Sequence, residues 1–180
     1  NGIDDDGDGM IDETCTPTVS IANKTIVEGN SGVTQVSMRI TLNHPYDDTV
    51  SVRYKTANNT ATAGTDYTAV NKILKFTPGQ SSRTVTIDIT GDTTFEANER
   101  FRVILLNPVN VILGSNDTAT FTITNDDEAC NGIDDNGDGM IDETCIPTVS
   151  IANKSIDEGN SDTTVMTFAI TLNHPYKDTV

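Results

Sequence analysis

The sequence predicts an all-β protein, an antiparallel sandwich whose ends run into short acidic loops. Three observations predict it. Apolar residues alternate with polar ones over short runs, turn signals separate those runs at regular spacing, and no segment makes a convincing amphipathic helix. Such alternation marks strands with one face in a core and one in water.

Taken in order, residues 17–127 read as strands throughout, with a first strand ending before Glu28-Gly29. In VTQVSMRITL, Val36, Met38, Ile40 and Leu42 alternate with Gln35, Ser37, Arg39 and Thr41. Then come VSVRYKT at 50–56, KILKF at 72–76, RTVTIDIT at 83–90, ERFRVILL at 99–106 and TATFTIT at 118–124. Pro78-Gly79 and Gly114-Ser115-Asn116-Asp117 supply turns. About seven short strands in such a length predict a sandwich of immunoglobulin-like type. The Cys…Trp…Cys spacing of a true immunoglobulin domain is missing, because the chain has no Trp.

A long internal repeat organises the chain. Residues 1–50 align without a gap on 131–180, and 12 of the 50 positions differ. Val36 becomes Met166 and Met38 becomes Phe168, whereas the outward Gln35 and Arg39 become Val165 and Ala169. Inward positions keep their apolar character while outward ones drift. The expected organisation is an Asp-rich calcium-binding linker loop at 1–16, a sandwich at 17–127, a second such loop at 128–146, and the start of a second sandwich at 147–180. A third of a β-domain does not bury a core alone. Either the chain is an excerpt of a tandem array, or a partner chain completes the second copy.

The acidic loops carry the chemistry. In the first, Asp4, Asp6 and Asp8 take positions 1, 3 and 5 of a calcium loop, and Gly9 takes position 6. Met10 offers its carbonyl at position 7 and Asp12 stands at position 9. Alternate carboxylates turn inward as a chain wraps a hard cation, and glycine tolerates the tight turn. The second loop repeats this with Asp134, Asn136, Asp138, Gly139, Met140 and Asp142. At position 12, where an EF-hand has a bidentate Glu, stand Cys15 and Cys145; Glu13 and Glu143 offer a replacement carboxylate. No helices flank the loops, so they are not EF-hand pairs. They resemble the acidic metal-binding repeats of bacterial secreted proteins and, more distantly, thrombospondin type 3 repeats. The oxygen-only donor set favours Ca²⁺ over zinc or copper. A loop that is merely a disulfide-closed acidic linker remains the alternative.

Three cysteines are present, Cys15, Cys130 and Cys145, and the last two bracket the second loop. A Cys130–Cys145 disulfide is expected, with Cys15 lacking its repeat partner, and it implies an oxidising, extracellular or cell-surface setting. Reduced or metal-bound thiols are the alternative.

Charge narrows the partners. The formal charge is −16, from 27 acidic and 11 basic residues, which excludes nucleic acid and anionic membrane as expected partners. No run of residues is long and apolar enough to insert into a membrane. No catalytic constellation is visible: both histidines, His44 and His174, occupy the same Asn-His-Pro-Tyr turn of the repeat. No enzyme is expected.

Several markers in order give a family resemblance. They are Glu28-Gly29, Ala63-Gly64-Thr65-Asp66-Tyr67, Phe76-x-Pro-Gly79, Gly91-Asp92, Phe95-Glu96-x-x-Glu99-x-Phe101 and Asn125-Asp126-Asp127. Residues 18–127, and again 148–180, resemble the Calx-β family, which occurs as calcium-binding domains of sodium–calcium exchangers and in large bacterial surface proteins. The resemblance implies a carboxylate cluster at one end of the sandwich: Glu28, Asp92, Glu96, Glu99, Asp126 and Asp127. Asn58 and Gly91 depart from the calcium-binding pattern, so fewer ions or weaker binding are expected. A hydrated acidic turn is the alternative for Phe-Glu-x-x-Glu, and Asp66 and Tyr67 read as structural. The functional expectation is a calcium-binding structural repeat of a long bacterial surface or fibre-forming protein. Calcium would stiffen its joints, and its partners would be copies of itself in a tandem array or strand-completed polymer. The alternative is a calcium-dependent adhesion module for glycans or another surface protein.

Overall fold

The computed structural model describes residues 15–142, 145–157 and 159–173. The described residues form two compact units, one comprising residues up to Asp92 together with Glu96–Asp126, the other Thr93–Phe95 and Asp127 onward.

The first unit is a sandwich of two sheets. Its strands are β1 (Thr18–Ile21), β2 (Lys24–Val27), β3 (Gly32–Leu42), β4 (Val50–Asn58), β5 (Asn71–Phe76), β6 (Ser82–Gly91), β7 (Glu99–Val109), β8 (Ile112–Leu113) and β9 (Thr118–Thr124). One sheet runs β6-β3-β1-β8 and the other β2-β9-β7-β4-β5. The expected alternation is present in β3, where Val36, Met38, Ile40 and Leu42 are buried.

The first strand divides where one was expected. Val19 and Ile21 are buried in β1, but the next buried residue, Ile26, falls out of that phase. The slip lets the chain cross between sheets, with β1 on β3 and β2 on β9. Asn23 fastens the crossing, its Oδ1 accepting the Thr120 amide at 2.8 Å. The β1–β8 and β2–β9 pairs are parallel, and the other pairs of this unit are antiparallel. Strand β7 runs past the expected residue 106 to Val109 through a bulge opposite Ser51 and Arg53. Asn107 there takes φ 50°, and Pro108 follows, which has no amide to give the ladder.

Both sheets meet in one core, within which Phe101 lies between two rings. Tyr67 stacks on it at 4.2 Å between centroids and Phe121 at 5.2 Å. Aromatic side chains of this size dominate core energetics. The Tyr67 hydroxyl donates to Asn58 Oδ1 at 2.6 Å, which satisfies the polar end of a buried ring.

In the second unit, β10 (Val149–Ile151) and β11 (Ile170–Leu172) form an antiparallel pair. The segment before them is closed by a disulfide between Cys130 and Cys145.

Candidate metal centre

The turn after β4 builds the site. Asp66 Oδ2 accepts the Thr62 amide at 2.6 Å, so the carboxylate closes its own turn. Asn58 Oδ1 accepts the Ala63 amide at 3.0 Å. Two bonds fasten this turn to the start of β7: Ala61 N donates to Arg100 O, and Arg100 N to Thr60 Oγ1. Thr90 N donates to Asp66 O, tying the turn to β6 as well. Asp66 therefore arrives beside Glu99, the first residue of β7, with its place set by three strands.

Glu96 completes the group. Its amide donates to Asn125 Oδ1 at 3.1 Å, and Asn125 N donates to Asn98 Oδ1, which fixes residues 96–98 against the end of β9. Ligand oxygens of Asp66, Glu96 and Glu99 then all lie within 4.8 Å of one another. Among the described residues, this is the group of three or more metal-ligating side chains that converges. Burial, a hydrogen bond to the Asp66 carboxyl, and the charges of Asp66 and Glu96 push Glu99 up to about 7. Close like charges raise a carboxyl in this way, and a cation relieves them.

Of the other expected ligands, Glu28, Asp92 and Asp126 belong to the same unit but stand outside that group. Glu28, buried, follows β2, and its amide donates to Thr124 O. Asp126 Oδ1 accepts the Gly29 amide at 2.9 Å, so it braces the end of β2. Asp92 is exposed just past β6. Asp127 belongs to the second unit and is buried. Gly91 has a steric reason: a Cβ there would overlap the Gly29 carbonyl oxygen and stand 2.8 Å from Glu28 O. No side chain, acidic or otherwise, fits at that crossing.

Sequence reasoning assigned Asp66 to turn bonding alone. It does bond the turn, and its carboxylate also joins the cluster. A carboxylate beside a buried tyrosine, in a turn tied to the Phe95-Glu96-x-x-Glu99 segment, was the available signal.

In the second loop the side chains hold the backbone. Asp134 accepts the Gly137 and Gly139 amides at 2.6 and 2.9 Å. Asn136 Oδ1 accepts from Asp138 N, and Asp138 Oδ1 from Met140 N. Asp142 is buried at φ 54°, and its two oxygens accept the Asn131 and Gly132 amides at 3.0 and 2.8 Å. Glu128, which was not among the expected ligands, is buried and accepts the Asp135 and Asn136 amides at 3.1 and 3.0 Å. Asp4, Asp6, Asp8, Met10, Asp12, Glu13 and Glu143 lie outside the described residues.

A comparison with known families decides the class: the Calx-beta domain matches residues 12–127. The chain belongs to the Calx-beta domain family. The sodium/calcium exchanger Calx of Drosophila melanogaster is 39% identical over 80 residues, covering 44% of this chain and 8% of the exchanger. Sodium/calcium exchanger 1 of Rattus norvegicus is 35% identical over 100 residues, 46% of this chain and 10% of that protein. FRAS1-related extracellular matrix protein 2 of Homo sapiens is 39% identical over 72 residues, 38% of this chain and 2% of that protein. This Calx-beta chain thus spans a tenth or less of these relatives. Among solved structures, the apo form of the Calx CBD1 domain superposes with a TM-score of 0.57 at 28% identity, covering 62% of this chain and 99% of that one. The calcium binding domain CBD12 of CALX1.1 gives 0.56 at 30% identity over 62% of this chain and 47% of that one.

Proposed function

We propose that this Calx-beta chain is an extracellular calcium-binding structural repeat, part of a tandem array in a long bacterial surface or fibre-forming protein. The carrying observation is the convergence of Asp66, Glu96 and Glu99, whose ligand oxygens lie within 4.8 Å of one another. Three carboxylates at that spacing repel one another and offer only oxygen, the donor set of a hard divalent cation. A solved relative, CBD12 of CALX1.1, is described as a calcium binding domain. The disulfide and the extracellular matrix proteins among the relatives support an oxidising location.

Calcium at this end of the sandwich, and in the Asp134–Asp142 loop that follows, stiffens the joint between successive repeats. Near-identical copies suit such a role, because a fibre needs equivalent joints. The chain acts as a binding module without catalysis. Titration of the metal-free protein with CaCl₂, followed by calorimetry and small-angle scattering, tests both parts. Heat of binding with a stiffened scattering profile supports the reading; identical profiles with calcium and with chelator sink the stiffening role.

A further inference from the structure

The outward face of the five-stranded sheet gathers the cations of an acidic chain. Strand register sets out its rows, because opposed residues of an antiparallel pair share a face. Arg100 stands opposite Thr122, and Arg102 opposite Thr120 and Ala57. Lys55 follows between Ile104 and Asn71, then Arg53 between Leu106 and Ile73, and last Lys75 opposite Ser51. Each of five successive rows thus carries one cation. They run diagonally over three strands, from the start of β7 through the middle of β4 to the end of β5. Rows two residues apart lie about 6.8 Å from one another, so the line is about 27 Å long.

Within the sheet that charge is unopposed. Among the described residues of these five strands, Glu99 is the one acidic residue, and it shares the inward parity of the buried Phe101. The chain has 11 Lys and Arg against 27 acidic residues, so five cations on one face are a concentrated share. Arg100, Arg102 and Lys75 are exposed, and Arg53 and Lys55 half-buried. Arg53 Nη1 donates to Asn71 Oδ1 at 3.0 Å, while its Nε is enclosed without a hydrogen-bond partner. An unpaired donor costs energy that an oxyanion on the guanidinium fork would recover.

We propose that this face binds a linear acidic polysaccharide, whose carboxylate or sulfate groups pair with the line of cations from Arg100 to Lys75. The chemistry of the face selects this occupant over other polyanions. No aromatic residue stands in the outward rows, so nucleic-acid bases find no stacking platform and a protein partner no aromatic anchor. Duplex DNA carries one charge per about 1.7 Å, a density that a net charge of −16 resists. A polysaccharide charged once per sugar or less is repelled far less. Beyond about 8 Å the acidic groups elsewhere on the chain are largely screened at physiological ionic strength, so the face acts locally. The hydroxyls of Thr120 and Thr122, beside Arg102 and Arg100, suit a hydroxyl-rich polymer.

The test keeps the 180-residue protein in EGTA, so calcium bridging takes no part and the outcome is independent of the calcium-binding role. Calorimetry at low and physiological salt compares oligogalacturonate, dextran sulfate, neutral dextran, poly-glutamate and duplex DNA. At least one acidic polysaccharide should bind, with affinity falling as salt rises, and neutral dextran should not. Preference between the two acidic polymers tells a carboxylated ligand from a sulfated one. Arg102→Gln combined with Lys75→Gln, both at exposed positions, should weaken binding about tenfold. Arg39→Gln, exposed on the other sheet, should leave it unchanged. Absence of binding by both acidic polysaccharides overturns the proposal. So does tighter binding of poly-glutamate or DNA, which would assign the face to another macromolecule, and so does an equal loss from Arg39→Gln, which would mean diffuse charge attraction.

Discussion

Glu99 stands half-buried beside two other carboxylates, and burial first, then their proximity, tightens its hold on a proton. The ordinary value of 4.5 rises to about 7, burial being the largest cause, then the Asp66 hydrogen bond and the charges of Asp66 and Glu96. The folded chain thus holds this proton more tightly than the unfolded one. In metal-free protein its contribution to stability is fully present below about pH 4.5 and is lost as pH rises through about 7. Calcium competes with that proton, so calorimetric affinity should weaken steadily from pH 8 to pH 5.5; a flat profile would remove Glu99 from the ligand set. Glu99→Gln should lower affinity by about tenfold, roughly 1.4 kcal/mol, while raising the melting temperature of the metal-free chain. At Gly91 the argument is steric. Gly91→Ala forces the β6 end away from the Gly29 carbonyl and should cost about 1–3 kcal/mol, as overpacking generally does. Urea denaturation checks this, and an unchanged midpoint would contradict the close crossing.

Among the elements, the strands of the sandwich were legible and their partition between sheets was less so. Alternation is a property of neighbouring residues, so Val36, Met38, Ile40 and Leu42 announced β3 unaided. The division at Asn23 depends on a bond to Thr120, 97 residues away, which local pattern does not encode. The acidic loop shows the same limit. Its Asp, Asn and Gly spacing suggests a calcium loop, and in the structure Asp134, Asn136 and Asp138 each accept nearby amides. Burial of Glu128 and Asp142 as braces across the loop came only with its closure. The disulfide spans 15 residues, worth about 3 kcal/mol in the chain-entropy account. Replacing Cys130 and Cys145 with Ser should speed exchange of the Asp135 and Asn136 amides, leaving β3 and β7 protection unchanged. Loss of protection across the sandwich would show instead that the loop supports the whole domain.

At the scale of the whole molecule, charge separates a specific ion from general screening. A formal charge of −16 means that any salt relieves self-repulsion, over a Debye length of about 8 Å at physiological ionic strength. Calcium should raise the melting temperature beyond sodium at matched ionic strength, and Asp66→Asn with Glu99→Gln should erase most of that excess. Equal shifts from both salts would assign the effect to screening. The sequence by itself determined the sandwich class and the repeat, because alternation and short spacings are local; Glu96 and Glu99 entered an acidic end only through the resemblance to the Calx-β family. Only the tertiary structure decided that Asp66 joins them, that Gly91 admits no side chain, and that Glu28, Asp92 and Asp126 stand outside the converging group. Those facts depend on which strands become neighbours, and neighbours in a sandwich are chosen by packing across tens of residues.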